Sequence, residues 1–512
     1  MMVLNEYKSA SGEVILFNGQ PDLKVLETLV SSEGDIWHSS LDQGYKNTFP
    51  DIVYQSAVYF WYASDFDNLE KCVCWRINPN QFAVRKTAWE KLGGFDSDYI
   101  NEQTAALDFG FNALRYQGAI PLYVKGLFSS KVEEVKVSKK DVYTFYFKSF
   151  KKSHALYMLF RKGFWKPSEL NAYSYAKKHF NYKNKSAFLS PRRLNDIKGK
   201  PKVSYIIPTM MRQDFTLNLL SDLENQTYKP TEVVVVDATP ENLRDESLYS
   251  SNNYSFDVKF KWQTSKGSCR ARNEAIELCI GDYIVFGDDD IRLQPQFIEN
   301  HIKLLQTYNA EACNGLDIRA DNQNQTLKDL DVKLKTFDKE RWKVGAAQSF
   351  SNANSCVSRR IVEALVGNDI NYDGGYGEDS DFGISITKLG VTVLHNPFSV
   401  NLHLKPPIGG YRFWGSQAKI LGKKRKKQPW ELDTPVKRIA PIPSPTIMYQ
   451  LHKHFTERQR LEYKIKYFVF YFSKARLVQL PFRLLKLPMR LIQFKKSEFY
   501  AKNLIALGKR TK

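Results

Sequence analysis

From residue 203 onward, short apolar runs alternate with stretches of helical spacing. VSYIIPT (203–209) is apolar and β-branched, the pattern of a buried strand. FTLNLLSDLENQ (215–226) repeats its apolar residues at helical intervals. TEVVVVDATP (231–240) predicts a second buried strand that ends in an acid and a proline turn. KFKWQT (259–264) leads into GSCRARNEAIELC (267–279), a helix opened by Gly and Ser. GDYIVFGDDDI (281–291) predicts a third buried strand running straight into three aspartates. This alternation implies an α/β fold with a doubly wound, mostly parallel sheet. Such sheets bind ligands at the carboxyl ends of their strands. Asp237 and the cluster Asp288, Asp289, Asp290 fall at that edge.

An internal repeat divides the chain. ALDFGFNALRYQGAIPLYV, which holds Asp108, matches DSDFGISITKLGVTVLHNP, which holds Asp381. The stretches before them, FAVRKTAWEKLGGFDSDY and SCVSRRIVEALVGNDINYDGGY, match in pattern. Residues 1–130 therefore read as a shortened, diverged copy of the domain at 203–418. In this register Ala105 and Ala106 stand where the second copy has Glu378 and Asp379. The first copy also lacks the Asp-rich strand end, so it is expected to keep the shape without the chemistry. PRRLNDIKGKPK (191–202) reads as a linker.

Charge sharpens this division. The net charge of +20 is unevenly spread. Residues 1–130 carry 10 basic and 16 acidic side chains, and 203–418 carry 22 and 29. Residues 131–202 carry 19 and 5, and 419–512 carry 24 and 5. Two mildly acidic bodies thus alternate with two strongly basic helical segments. Both basic segments interleave cations with aromatic and aliphatic residues. That composition suits an anionic membrane surface. It equally suits a helical bundle with an aromatic core, and less well a nucleic-acid track. Six cysteines in 512 residues, with no Cys-x-x-Cys pair, make no disulfide framework and no zinc site, which points to a reducing compartment. No apolar run approaches the roughly 18 residues of a spanning helix. The N-terminus has no basic-then-apolar signal pattern.

Asp288, Asp289 and Asp290 crowd three carboxylates at one strand end. They repel one another unless a cation or hydrogen-bond donors neutralise them. A hard divalent ion that bridges a diphosphate is one use of such an edge. A solvated acidic turn is the other reading.

Residues 203–412 resemble the family-2 glycosyltransferases of GT-A fold. VSYIIPT, ENQTYKPTEVVVVDATP, KGSCRARNEAI, GDYIVFGDDDI and GGYGEDSDFGISITKLG follow in the family's order and spacing. The resemblance implies a Rossmann-like GT-A domain, with residues 1–130 as a degenerate GT-A-like copy. It also implies a nucleotide-diphosphate sugar donor, Mn²⁺ or Mg²⁺, and inversion at the anomeric carbon. Asp288 and Asp290 match the ends of the family's Asp-x-Asp, Asp290 on the metal and Asp288 on the ribose or metal. Thr209 and Asp237 match positions lining the nucleoside pocket, although Ala238 replaces a second acid. Arg272 and Asn273 match the family's Ala-Arg-Asn, placed for the diphosphate. Glu378 and Asp379 match the catalytic acidic pair, with Asp379 as the base that takes the acceptor proton. Asp381 reads as structural, because its counterpart Asp108 persists in the copy without chemistry. His403 is a candidate third metal ligand, Arg412 in PPIGGYRFWG a candidate phosphate contact, and Asn352 and Asn354 candidate contacts to sugar hydroxyls.

The expected activity is transfer of one sugar, or a short run, to a glycan or glycolipid. The expected setting is cell-envelope polysaccharide or lipopolysaccharide assembly at the cytoplasmic face of the membrane. A processive synthase is disfavoured, since DKERW (338–342) has Asp where that group carries Gln. The alternatives are a non-catalytic scaffold of two transferase-like domains and a sugar nucleotidyltransferase. The second lacks support because IPTMMRQD is not a Gly-rich loop.

Overall fold

The computed structural model describes residues 3–49, 61–182, 187–250, 253–411, 427–474 and 476–512. Two sheets organise the chain. The smaller has six strands: β1 (Asn5–Lys8), β2 (Val14–Asn18), β3 (Ile36–His38), β4 (Lys71–Val73), β5 (Phe82–Arg85) and β6 (Pro121–Val124). Their order is β1-β2-β5-β3-β6-β4. The larger has nine: β7 (Val203–Thr209), β8 (Glu232–Asp237), β9 (Asp257–Trp262), β10 (Tyr283–Gly287), β11 (Ile291–Leu293), β12 (Ala312–Arg319), β13 (Gly345–Ala346), β14 (Asn354–Ser358) and β15 (Val393–His403). Their order is β11-β15-β12-β14-β10-β7-β8-β9, with β13 added to β15.

The apolar runs form the strands they predict. Every residue of β7 and β8 is buried. Burial on both sheet faces explains why neither strand alternates polar with apolar residues. The helix Gln213–Glu224 covers one face with Leu219, Leu220 and Leu223. The helix Ser268–Leu278 packs on β7 and β8 with Cys269, Ala271 and Ala275 buried. Strands β9, β8, β7 and β10 are parallel, as the alternation predicts. The other half is mixed: β14 runs antiparallel to both β10 and β12, whereas β12 and β15 are parallel. The linker 191–202 has no regular secondary structure.

The small sheet repeats the register of that mixed half. Ile36 pairs with Val84 and Pro121 as Ala312 pairs with Val357 and Val393. Cys72 pairs with Tyr123 as Gly345 pairs with His395. Asn18 pairs with Phe82 as Phe286 pairs with Ser355. The strand directions agree in each case. The difference lies beyond β2. There the small sheet has only the antiparallel β1, whereas β10 is followed by the three parallel strands β7, β8 and β9. In this register Gln20, Pro21 and Asp22 stand where the large sheet has Asp288, Asp289 and Asp290. Asp22 caps the helix Leu23–Val30 through the amides of Lys24 and Val25.

The two basic segments are helical. Helices Lys139–Ser149, Lys152–Lys162 and Pro167–His179 follow the small sheet, and Pro445–His454, Glu457–Ser473, Leu480–Leu485 and Leu487–Leu507 follow the large one. Among the described residues no helix is long and apolar enough to cross a membrane. All six cysteines are buried and unpaired.

Candidate active site

The carboxyl ends of β7, β8 and β10 form one edge, because Thr209 pairs with Asp237 and Phe286 with Ile206. The chain leaves β10 at Gly287 and turns through the three aspartates into β11. Antiparallel pairing of Ile291 with His403 brings the end of β15 back to this turn. The Leu404 amide then donates to the Asp290 carbonyl at 2.7 Å. The result is a cavity of about 310 Å³. Asp288, Asp289, Asp290, Glu378, Asp379 and His403 line it together with Arg212, Arg272, Arg319 and Lys405.

One carboxylate oxygen each from Asp288 and Asp290 and one His403 nitrogen lie within 4.8 Å of one another. His403 Nε2 is 3.2 Å from Asp290 Oδ1, and its Nδ1 is 3.1 Å from Asp317 Oδ1. Burial draws the imidazolium down, but hydrogen bonds and charge from Asp290 and Asp317 outweigh it and raise the pKa to about 10. With the Nε2 proton displaced by the cation, two oxygens and one imidazole nitrogen would suit a divalent ion such as Mn²⁺ or Mg²⁺. Asp317 supplies the outer carboxylate that orients a ligating histidine. The donor set therefore fits a metal.

Asp289 faces the protein. It accepts from Thr209 Oγ1 at 2.8 Å and Arg212 Nη1 at 3.0 Å. Burial and the neighbouring Asp290 raise its pKa to about 7 against the pull of Arg212. The same Arg212 nitrogen reaches Asp290 Oδ2 at 2.8 Å. Arg212 thus supplies the cation that the crowded carboxylates require. Sequence reasoning missed both Arg212 and Asp317. Arg212 follows the first strand in IPTMMR, but nothing in that stretch shows it folding back over the third.

Arg272 Nη2 meets Asp288 Oδ1 at 2.6 Å. Its Nε and Nη1 are buried with no hydrogen-bond partner among the described residues. Asp288 and Asp379 hold its pKa up despite burial. Glu378 and Asp379 begin the helix Glu378–Thr387, whose cap Gly377 takes φ 109°. That left-handed turn favours glycine and aims the first helical turn at the cavity. The Asn352 amide donates to Asp379 Oδ1 at 3.3 Å. The Asn352 side chain is buried, with neither end partnered among the described residues.

Three of the expected donor contacts are absent from the cavity wall. Thr209 is buried and spends its hydroxyl on Asp289. Asp237 is fully buried, accepting from the Thr239 amide at 2.7 Å and the Tyr249 hydroxyl at 3.0 Å. Burial raises its pKa. Asn273 donates to the carbonyls of Asn368 and Thr511, tying the helix to the C-terminal tail. Asn354 is likewise consumed inside the sheet by His301, Ser399 and Asn401. Asp381 lies behind the site, buried against Tyr372, Lys453 and His454. Burial opposes its charge, but His454 and Lys453 hold its pKa down to about 2. Arg412 lies outside the described residues.

Residues 204–366 match the model of glycosyl transferase family 2. Among curated proteins, the chain is 30% identical over 99 residues to the uncharacterized glycosyltransferase YibD of Escherichia coli, covering 19% of this chain and 28% of that protein. It is 25% identical over 114 residues to the glycosyltransferase GlyA of Streptococcus pneumoniae, covering 22% and 16%. The chain thus spans less than a third of the length of these relatives. Among solved structures, it is similar to S. aureus TarS 1–349 in complex with UDP-GlcNAc, at 14% identity and TM-score 0.37, covering 58% of this chain and 80% of that one. It is also similar to the mannosyltransferase PcManGT of Pyrobaculum calidifontis in complex with GDP-Man and Mn²⁺, at 17% identity and TM-score 0.33, covering 61% and 89%.

Proposed function

We propose that this protein transfers a sugar from a nucleotide-diphosphate donor to a hydroxyl of a glycan or glycolipid, with inversion at the anomeric carbon. The observation that carries this reading is the composition of one cavity. It joins a two-carboxylate, one-imidazole donor set to a buried arginine, two of whose nitrogens have no partner among the described residues, and to a pair of acids at a helix start. Asp288, Asp290 and His403 would hold Mn²⁺ or Mg²⁺. When bound, that ion neutralises charge on the leaving diphosphate. Arg272 directs its free N–H groups at the same oxygens. Arg212, which pairs with Asp290 in this structure, would compete with that ion for the carboxylate. An adjoining hollow of about 440 Å³, walled by Met210, Tyr411, Pro429 and Leu432, suits the nucleoside. A carboxylate at Asp379 accepts the acceptor hydroxyl's proton as the oxygen attacks. Asn352 orients that carboxylate through its amide, and its free side-chain amide is available to a sugar hydroxyl.

The acceptor is assigned to cell-envelope polysaccharide or lipopolysaccharide assembly at the inner face of the cytoplasmic membrane. The basic segments support the membrane setting. A panel of nucleotide sugars with Mn²⁺ or Mg²⁺, scored by thermal shift, tests the donor. A true donor stabilises the fold by about 2.7 kcal/mol at 100-fold over its dissociation constant. Release of the nucleoside diphosphate excludes a nucleotidyltransferase, which releases pyrophosphate. No donor-dependent shift with any sugar nucleotide would favour the scaffold reading.

A further inference from the structure

The repeat seen in the sheets continues into the helices that follow them. Helix Lys139–Ser149, Phe150 and helix Lys152–Lys162 correspond to helix Pro445–His454, Phe455 and the first eleven residues of helix Glu457–Ser473. In this register Lys148 matches Lys453. Lys148 pairs with Asp96 after the small sheet's β5 unit, and Lys453 pairs with Asp369 at the matching position after β14. Each helical hairpin is thus clamped to its own sheet by the same ion pair.

The two halves meet reciprocally. The carbonyl of Lys71 lies against Gly390, and the carbonyl of its counterpart Val344 lies against Gly118, the counterpart of Gly390. Arg161 Nη2 donates to Glu462 at 3.0 Å, while Lys466, the counterpart of Arg161, lies 5.6 Å over the ring of Tyr157, the counterpart of Glu462. The Tyr157 hydroxyl itself donates to Glu462. Contacts of i with j and of j with i are the signature of a twofold relation, here within one chain.

This arrangement seats the hairpins on each other through Tyr157, Arg161, Glu462 and Lys466, and it leaves equivalent apolar side chains uncovered. Leu156 is 57% exposed and its counterpart Leu461 56%. Beyond the matched helices, Trp165 in the turn after Lys152–Lys162 is 67% exposed and Phe470 in Glu457–Ser473 is 52% exposed. The C-terminal helices add Phe482, Leu484 and Leu485 at 65%, 58% and 78%. Neither hairpin therefore serves as the cover for the other's apolar side chains. Cations flank them, among them Lys162, Lys166, Lys474, Arg483 and Lys486. A second copy would bring 24 basic against 24 basic side chains of residues 419–512, so like charge opposes self-association through this face.

We propose that the two hairpins together form a docking surface for an anionic lipid bilayer. The apolar residues enter the headgroup region and the lysines and arginines meet lipid phosphate. The proposal rests on the membrane setting given above and assigns its contact surface. Vesicle binding needs neither donor nor metal, so it can fail while sugar transfer stands.

The test is co-sedimentation of the full chain with vesicles of one part phosphatidylglycerol to two parts phosphatidylcholine, against phosphatidylcholine alone. Binding is expected to be at least about tenfold stronger to the anionic vesicles and to fall steeply in high salt. Phe482→Ser with Leu485→Ser, and separately Trp165→Ser, should each weaken it about tenfold with an unchanged melting temperature. Equal binding to both vesicle types would overturn the proposal, as would full binding by both variants. Concentration-dependent dimers, abolished by the same substitutions in light scattering, would assign the surface to a second copy and overturn it as well.

Discussion

The two sheets share a register, a pair of following helices and a lysine clamp, yet only one of them bears the clustered acids. The large sheet continues past β10 into three parallel strands, and its β10 ends in Asp288, Asp289 and Asp290. The small sheet stops at a two-stranded edge, and its matching turn reads Gln20, Pro21, Asp22. Where the large half opens a helix with Glu378 and Asp379, the small half has Ala105 and Ala106 buried inside the longer helix Glu102–Arg115. What persists in both halves, Asp108 with Asp381 and Asp96 with Asp369, holds helices to sheets. The comparison separates residues that build the fold from residues placed for chemistry.

The widest gap between the halves should appear in turnover. Asp379→Asn removes the assigned base and should lower sugar transfer by 10²–10⁴-fold, read as initial rate with a matched donor and metal. Asp290→Ala should abolish metal-dependent donor stabilisation in the thermal-shift assay. Normal turnover by Asp379→Asn would move the chemistry elsewhere in the cavity.

Stability should respond at the shared positions instead. Asp381→Asn leaves Lys453 buried without one of its carboxylates and should destabilise by about 3 kcal/mol at pH 7. The native pKa of Asp381, about 2, lies below its ordinary value. Its contribution is therefore complete above the unfolded pKa of about 4 and is lost as pH falls toward 2. Denaturant melts of wild type and variant should converge over that window. A gap that stays constant down to pH 2 would show that packing, not charge, is responsible.

Asp22, which stands in the small sheet where the large one has Asp290, gives a smaller effect. Asp22→Ala removes a helix cap and should cost about 1 kcal/mol with no change in transfer. A loss of transfer would mean that the small sheet takes part in the reaction. The smallest effect is expected at Arg212. It occupies Asp289 and Asp290, so Arg212→Ala should tighten Mn²⁺ binding several-fold in calorimetry without donor. Weaker binding would make Arg212 a support of the metal site rather than its competitor.

The strands β7, β8 and β10 and both helices between them were legible because a fully buried strand must be continuously apolar and a packed helix must repeat its apolar residues. The acids were legible because Asp288–Asp290 and Glu378–Asp379 are conspicuous runs. Thr209 and Asn273 were not, because each is a hydrogen-bonding residue whose partner lies 80 or 238 positions away. The mixed half of the large sheet escaped for the same reason: strand direction depends on how connections return, and apolar runs carry no direction.

Residue order alone settled which segments are buried, where charge accumulates and which carboxylates crowd together, since these follow from local composition and spacing. Only the folded chain decided what those carboxylates face. His403 reaches Asp290 because β11 pairs with β15, Arg212 reaches it by folding back from β7, and the two basic segments meet because the halves pack reciprocally. Each of these depends on closing a long loop between distant residues, and the energy of that closure is carried by the whole core.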